Sequence, residues 1–264
     1  MDEIGSFANR LYRIVATGFC FSCFGLGGLM LSLLVFPMQR LFVRDTVRRR
    51  QLARASVHKG FAFFIWLMQR VGVINYDFSV QALLSDVRGK IIIANHPSLI
   101  DVVALIAMTP NADCVVKEQL FRNPFVRGVI ASTGYISNSD PDGLIADCAA
   151  SLAAGNNLII FPEGTRTTPG SELSFQRGAA NIALRSRSDF LALLIRCEPS
   201  TLTKQESWYQ VPERKPTLAI HYLKEIPLTA YLGEVSISLA ARHLTKDLQQ
   251  YYQQVVNENG CTEA

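Results

Sequence analysis

The chain has 264 residues, 49% of them hydrophobic, and its 26 Lys and Arg against 22 Asp and Glu give a net charge of +4. This length suffices for one large α/β domain or two small ones. The small charge excess excludes the dense basic character of nucleic-acid-binding proteins, so we expect no nucleic-acid partner. Cys20 and Cys23 have C-x-x-C spacing, but they lie in an apolar run without a second pair or histidines nearby, and the other four cysteines are scattered. Neither a disulfide framework nor a zinc site is indicated, which fits a reducing compartment and predicts no bound metal.

The first predicted element is an apolar helix near the N-terminus. Residues Ile14–Phe36 form a run of 23 residues without a charge. A helix of that length covers roughly 35 Å, enough for the hydrocarbon layer of a bilayer. A cleaved signal peptide would have a shorter apolar core and a small-residue cleavage site, and neither feature is present. The pattern predicts a membrane-anchoring helix over about 14–36, which spans the bilayer or re-enters it.

Basic residues follow this helix closely. Two arginines precede it, and five come directly after it: Arg40, Arg44, Arg48, Arg49 and Arg50. Excess arginine marks the cytoplasmic side of a membrane segment. We therefore expect an inner or cytoplasmic membrane protein in contact with membrane lipids, with its main body facing the cytoplasm.

A second hydrophobic stretch covers residues 55–74 and is rich in aromatic residues. It is interrupted by His58, Lys59, Gln69 and Arg70, so it does not read as a spanning helix. An interfacial helix and an ordinary core helix both fit this composition. Residues 1–74 are thus predicted to form a membrane-anchoring segment, and residues 75–264 an α/β domain.

The body of the chain alternates between short apolar runs and helical stretches. The predicted strands are Lys90–Ala94, Cys114–Lys117, Tyr135–Ser137, Asn157–Phe161, Leu191–Arg196 and Thr217–Tyr222. The predicted helices are Asp101–Thr109, Glu118–Ser132, Asp142–Ala153, Gly178–Arg187 and a long final helix over about Leu232–Asn257. This alternation predicts an α/β fold with a largely parallel mixed sheet flanked by helices.

A histidine and an aspartate lie in the segment after the first of these strands, which reads Asn95-His96-Pro97-Ser98-Leu99-Ile100-Asp101. On a regular helix the side chains of His96 and Asp101 would be about 140° apart. Pro97 favours an extended conformation at His96 and tends to begin a helix, which would let the two side chains meet. Such a pair can act as a general base with its orienting carboxylate. Two unrelated polar residues in a loop are the alternative, and the pair by itself does not decide.

The second polar cluster follows the fourth predicted strand and reads Phe161-Pro162-Glu163-Gly164-Thr165-Arg166. Its arginine suits bidentate binding of a phosphate or carboxylate, and Arg177 adds another cation just ahead of a helix. A polar loop with an internal Glu–Arg pair is the simpler reading. Active groups of parallel sheets gather beyond the carboxyl ends of strands, and both clusters occupy such positions.

The two clusters together resemble the glycerolipid acyltransferase family. The first is similar to the family's N-H-x-x-x-x-D box and the second to its F-P-E-G-T-R box, about 65 residues apart. Residues 116–121 resemble the family's K-x-x-L segment, which contains Lys117. The resemblance runs from about residue 85 to 225. A G-x-S-x-G elbow or a phosphate-binding G-x-x-x-x-G-K motif is absent from the sequence, which disfavours a serine hydrolase or an NTPase. The F-P-E-G-T-R box separates the chain from the late acyltransferases of lipid A.

The resemblance implies the chemistry and the roles of the residues. It implies transfer of a fatty acyl chain from acyl-CoA or acyl carrier protein to a lysolipid hydroxyl, foremost 1-acylglycerol-3-phosphate, without a metal or another cofactor. His96 and Asp101 are then the catalytic pair. The predicted substrate-binding residues are Asn95, Ser98, Lys117, Glu163, Gly164, Thr165, Arg166 and Arg177.

One position departs from the family pattern. Asn138 stands where the family usually has an arginine that helps to hold the acceptor phosphate. This leaves two further readings open: a different lipid acceptor in a specialised envelope-lipid pathway, or a non-catalytic lipid-binding protein on the same fold. Alternatively, Arg122, Arg127 or Arg177 supplies the missing charge.

Overall fold

The computed structural model describes residues 2–168 and 170–260. The helices are α1 (Asp2–Met30), α2 (Phe36–Phe42), α3 (Thr46–Arg70), α4 (Gln81–Asp86), α5 (Asp101–Met108), α6 (Arg127–Thr133), α7 (Pro141–Ala153), α8 (Gly178–Ser186) and α9 (Ile237–Gly260), with a π-helical turn at Leu31–Val35 and a 3₁₀ helix at Glu118–Arg122. The strands are β1 (Asn75–Asp77), β2 (Ile91–Ala94), β3 (Ala112–Val116), β4 (Ile136–Ser137), β5 (Asn157–Ile160), β6 (Phe190–Glu198) and β7 (Thr217–Ile226).

The described strands form one seven-stranded sheet in the order β1-β7-β6-β2-β5-β3-β4. All neighbours are parallel except β6 and β7, which run antiparallel. The predicted α/β class with a largely parallel mixed sheet is therefore confirmed. The short edge strand β1 escaped prediction because its sequence, Asn-Tyr-Asp, has no apolar run.

Helices cover both faces of the sheet. Alternate residues of β2 point to opposite faces, as the pleat of a strand requires: Ile92 and Ala94 belong to one hydrophobic cluster, Ile91 and Ile93 to the other. The first cluster includes residues of α3, α5 and α6, and the second includes residues of α8 and α9. Because β2 is buried on both sides, its sequence is continuously apolar.

The N-terminal helix is longer than the predicted range of about 14–36. Helical structure runs from Asp2 to Phe42, through α1, the π-helical turn and α2. Pro37 does not end it, because the proline lies in the first turn of α2 after the π-helical turn. Within the described residues one helix, Phe7–Phe42, has the length and composition needed to cross a membrane. The prediction was too short because it used the uncharged run alone, and the helix continues through charged residues on both sides of that run.

Helix α3 also begins earlier than the predicted residue 55. Asp45 caps it by accepting hydrogen bonds from the backbone N–H of Val47 (2.8 Å) and Arg48 (3.4 Å). One face of α3 packs in the same hydrophobic cluster as the sheet, whereas Phe63 and Trp66 are about half exposed and stack on each other. The helix therefore has the features of both readings of its sequence. The boundary between residues 74 and 75 stays a prediction.

Two other predicted helices differ from those observed. The helix predicted over Glu118–Ser132 is divided into a 3₁₀ helix and α6, because Pro124 holds Asn123 in an extended conformation (ψ 117°). The final helix starts at Ile237 and not near Leu232. Ser236 sets this start, since its hydroxyl accepts a hydrogen bond from the N–H of Leu239.

Candidate active site

The two polar clusters meet at one edge of the sheet. Strands β2 and β5 are parallel neighbours, with Ile93 beside Ile160, so the segments that follow them leave the sheet side by side. The ring of Phe161, in the second segment, stacks on the imidazole of His96 with centroids 4.1 Å apart. Sequence reasoning placed Phe161 in its motif but missed this contact, which fixes the plane of the imidazole.

His96 and Asp101 form the predicted pair. Nδ1 of His96 lies 2.9 Å from Oδ2 of Asp101, and the backbone N–H of Ser98 donates to the same oxygen at 2.7 Å. An ionised Asp101 can only accept at this contact, so Nδ1 carries the proton and Nε2 is left as the basic nitrogen. The imidazole side chain is 18% exposed, whereas the carboxylate is fully buried. This is the geometry of a general base held by a buried carboxylate.

Burial disfavours the ionised form of the Asp101 carboxyl group. Burial raises its pKa, while the hydrogen bonds from His96 and from Ser98 N–H and the charge of Arg166 act in the opposite direction. Oδ1 is buried and has no hydrogen-bond partner among the described residues. Any positive charge that develops on the imidazole would therefore be strongly favoured by this carboxylate.

Glu163 joins the segment after β2 to the segment after β5 through hydrogen bonds. Its buried carboxylate accepts hydrogen bonds from the backbone N–H of His96 (3.0 Å) and from the hydroxyl of Thr167. The N–H of Thr167 donates in return to the carbonyl of His96 at 3.0 Å. Burial raises the pKa of Glu163, and these hydrogen bonds oppose the shift. The observed contacts hold the turn that contains His96, and acceptor binding by Glu163 stays a prediction. Thr167 was missed, although it directly follows the recognised motif.

Asn95 and Ser98 make structural contacts. The side-chain amide of Asn95 donates to the carbonyl of Ile195 (2.9 Å) and accepts from its N–H (2.7 Å), which extends the pairing of β2 with β6. The hydroxyl of Ser98 donates to the carbonyl of Thr201 at 2.9 Å. These groups shape the turn, and their predicted contacts with substrate remain predictions.

Arg166 reaches a segment that sequence reasoning did not connect with the site. This segment, residues 199–216 between β6 and β7, is called the strap below. Nη1 of Arg166 donates to the strap carbonyls of Leu202 and Thr203, both at 2.8 Å. The guanidinium is half-buried, and its positive charge lowers the pKa of Asp101, against the larger effect of burial. One edge of Arg166 is therefore occupied, and binding of an anion would use the other nitrogens.

The remaining predicted residues lie around the same edge. Gly164 is exposed and has a φ of +67°, which only glycine adopts without strain, and its neighbour Thr165 is half-buried. Lys117 directly follows β3, and Arg177 directly precedes α8; both are exposed. The structure thus gathers the predicted cations at the carboxyl edge of the sheet, with Arg166 next to the His–Asp pair.

Asn138, at the departure from the family pattern, has a local role. Its side-chain oxygen accepts a hydrogen bond from the N–H of Glu118 at 3.1 Å, which ties the end of β4 to the start of the 3₁₀ helix. Glu118 also forms a weak exposed pair with Arg122, at 3.8 Å.

Part of the chain is similar to known proteins. Residues 77–196 match the family described as Acyltransferase. Over 105 residues the chain is 36% identical to a 1-acyl-sn-glycerol-3-phosphate acyltransferase of Helicobacter pylori, covering 37% of this chain and 44% of the relative. It is 31% identical over 112 residues to a protein of the same name from Cocos nucifera, covering 40% of this chain and 36% of the relative.

The fold agrees with a solved structure. The crystal structure of the 1-acyl-sn-glycerophosphate (LPA) acyltransferase PlsC from Thermotoga maritima superposes with a TM-score of 0.63, covering 94% of this chain and 97% of that one at 20% identity. This likeness concerns the fold. The chain matches less than half the length of the two curated relatives described above.

Proposed function

We propose that the protein is a membrane-associated O-acyltransferase that moves a fatty acyl chain from a thioester to a lysolipid hydroxyl. One observation carries the proposal: the 2.9 Å contact of His96 with buried Asp101, at the carboxyl edge of the sheet and beside the second family motif. A surface His–Asp pair would need neither a fully buried carboxylate nor a second segment that holds its backbone.

The reaction follows from the free nitrogen of His96. Nε2 removes the proton of the acceptor hydroxyl as its oxygen attacks the carbonyl carbon of the thioester. The carbon–sulfur bond then breaks, the ester remains, and the imidazolium returns its proton to the departing thiolate. Asp101 stabilises the imidazolium and keeps the proton on Nδ1. No acyl-enzyme is formed, and His96 alone accepts the proton of the hydroxyl and returns it to the thiolate.

The most favoured acceptor is 1-acylglycerol-3-phosphate, which would give phosphatidic acid. Arg166, Lys117 and Arg177 supply positive charge around the site for a phosphate, and the curated relatives carry this acceptor in their names. Asn138 favours the alternative, a different lysolipid. The donor is acyl-CoA or acyl carrier protein, since both present the same thioester.

The N-terminal helices supply the membrane contact in this proposal. Large apolar side chains of α1 and α2 are exposed, among them Phe7, Leu11, Phe19, Leu26, Leu41 and Phe42. Burying them in a bilayer would be favourable by roughly 1.5–3 kcal/mol for each side chain. The arginines after α2 favour the cytoplasmic face of an inner or cytoplasmic membrane. Substrate and product, both lipids, would then be exchanged at the membrane surface.

An apolar cavity of about 340 Å³ lies between α1, α3 and residues 123–129. Phe24, Phe61 and Phe64 contribute aromatic walls, and Gly27 leaves space along α1, since an added Cβ would have no atom within 4 Å. We infer that this cavity accepts a fatty acyl chain, because its lining is apolar and it borders the lipid-facing helix.

The activity is tested by acyl transfer with purified protein in detergent micelles. Labelled acyl-CoA and acyl carrier protein would be combined with a panel of lysolipids, using wild type, His96→Ala and the control His243→Ala. His243 lies exposed on α9 and pairs with Glu234, which precedes this helix. We expect transfer by wild type and by His243→Ala, and a loss of at least about 100-fold in His96→Ala. No transfer with any pair would favour a non-catalytic lipid-binding protein.

The acceptor is tested by restoring the missing charge with Asn138→Arg. An added charged hydrogen bond contributes about 1.5–3 kcal/mol, so the KM for lysophosphatidate should fall about tenfold or more if this lipid is the acceptor. A wild-type preference for an uncharged acceptor, unchanged in Asn138→Arg, would instead support the alternative lysolipid.

A further inference from the structure

The first half of the strap is hydrogen-bonded to the turn that contains His96 and Asp101. Thr201 accepts from the hydroxyl of Ser98, and the carbonyl of Leu202 accepts from the N–H of Leu99 at 3.0 Å and from Arg166. Ser98 in turn donates its N–H to Asp101. A continuous series of hydrogen bonds therefore leads from the strap to the carboxylate that orients the general base.

The second half of the strap is fastened to helix α1. Nη2 of Arg13 donates to the carbonyls of Pro212 and Glu213 at 2.6 and 2.5 Å. The strap residue Trp208 lies against Gly18, one turn further along α1, where a Cβ would approach the indole to 3.1 Å. The strap thus joins the apolar N-terminal helix to the active site.

Burial of the charged guanidinium of Arg13 costs the folded state free energy. Arg13 is only 2% exposed, and its Nε and Nη1 have no hydrogen-bond partner among the described residues. An apolar residue packed there would avoid the desolvation of a cation. The cavity beside Arg13 has a volume of about 10 Å³, which is room for about one water molecule. The two strap carbonyls are the hydrogen-bond acceptors that the guanidinium contacts.

We propose that Arg13 is a positioning residue for catalysis, which acts through the strap to hold the turn of His96 and Asp101. The inference rests on the proposed acyl transfer. In this arrangement the helix that contacts the membrane also fixes the far end of a series of hydrogen bonds that ends at Asp101. Displacement of a catalytic group by about 1 Å can reduce a rate by about 100-fold, so a loosened strap should lower turnover more than substrate binding.

The experiment compares Arg13→Gln, Arg13→Lys and Arg10→Gln in detergent micelles, where insertion into a bilayer does not limit activity. Arg10 is exposed on α1, so its change removes the same charge from the same helix as a matched control. Two quantities are measured: kcat and KM for acyl transfer, and the rate of tryptic cleavage at the exposed strap residues Lys204 and Arg214.

We expect kcat of Arg13→Gln to fall by about 10- to 100-fold with KM for the lysolipid within about twofold, and strap cleavage to accelerate. Arg13→Lys should recover part of both, because an ammonium can donate to the same carbonyls. Arg10→Gln should match wild type. Unchanged kcat and cleavage in folded Arg13→Gln would overturn the proposal, as would faster cleavage without loss of kcat.

Two further results separate the possible failures. If wild type transfers no acyl group, the proposed function fails, while strap cleavage still shows whether Arg13 holds the strap. If Arg13→Gln does not fold, Pro212→Gly loosens the same end of the strap and leaves Arg13 in place. Full turnover in Pro212→Gly with rapid strap cleavage would also overturn the proposal.

Discussion

Replacement of Asp101 by asparagine separates the proposed catalytic role of the carboxylate from its structural role. The two side chains have nearly the same shape, so the amide oxygen can still accept from Ser98 N–H, which lies 2.7 Å from Oδ2 in wild type. What disappears is the negative charge 2.9 Å from Nδ1 of His96. Asp101→Asn therefore tests whether this charge supports the base.

The expected loss follows from the interaction removed. A hydrogen bond to a charged group contributes about 1.5–3 kcal/mol, which corresponds to roughly 10- to 150-fold in rate. If the amide nitrogen turns towards the imidazole, the proton is forced onto Nε2, the base can no longer accept one, and the loss approaches about 10⁴-fold. We expect kcat/KM of Asp101→Asn to fall by at least about tenfold.

Stability should change in the opposite direction or stay the same. Burial raises the pKa of Asp101, so at neutral pH the ionised group costs the folded state free energy that the neutral amide does not. The assay measures kcat/KM and the melting temperature side by side, with Asp86→Asn at an exposed position as the control. Activity of Asp101→Asn within threefold of wild type would refute the proposed role of the carboxylate. A collapse of the melting temperature would show that Asp101 mainly holds the fold.

Three other changes test the surroundings of the site. In Glu163→Gln the buried charge is removed: because burial raises the pKa of Glu163, the folded state binds its proton more tightly, and wild type loses stability as pH rises above 4.5. The melting temperature of Glu163→Gln relative to wild type should thus increase across a series from pH 4 to 8, and a constant difference would contradict this. Tyr252→Phe removes the hydroxyl that donates to the carbonyls of Ile93 (2.8 Å) and Leu193 (3.0 Å); denaturant unfolding should show a loss of about 1–3 kcal/mol, and less than about 0.5 kcal/mol would show that the carbonyls find another donor. Gly27→Leu adds a side chain to the apolar cavity at a position with no atom within 4 Å of its Cβ; activity with a series of acyl-CoA lengths should shift to shorter chains, and an unchanged profile would remove the cavity from the acyl path.

The sequence was sufficient to bring the two motifs together. Carboxyl ends of parallel strands share an edge, and the apolar runs before Asn95 and Phe161 marked two such strands. Pro97 allowed the contact between His96 and Asp101, because it interrupts regular helix geometry at the right place. Both inferences depend on local properties of a short segment, which a single sequence contains.

The contacts that support the site could not be predicted from the sequence, for a physical reason. Arg13 contacts carbonyls 199 and 200 residues away, and backbone carbonyls carry no sequence signature. The same holds for Tyr252 on the final helix, whose hydroxyl donates to carbonyls of the neighbouring strands β2 and β6. Helix ends were misplaced where a cap decided them, as at Asp45, since capping side chains lie outside the apolar pattern that predicts a helix.

The N-terminal helices are therefore more than a tether. In addition to the strap contact of Arg13, α3 inserts Arg54 into the domain, where it donates to Asp113 (2.6 Å) and to the carbonyl of Thr133 (3.0 Å). Both partners of this ion pair are buried, so removal of one would leave an unpaired charge that costs about 3–5 kcal/mol. A flexible tether would need no such contacts, since a chain of any composition can keep a domain near a membrane. Two buried guanidinium groups on two helices instead fix the orientation of the helices relative to His96, which the proposed acyl transfer at a membrane surface would require.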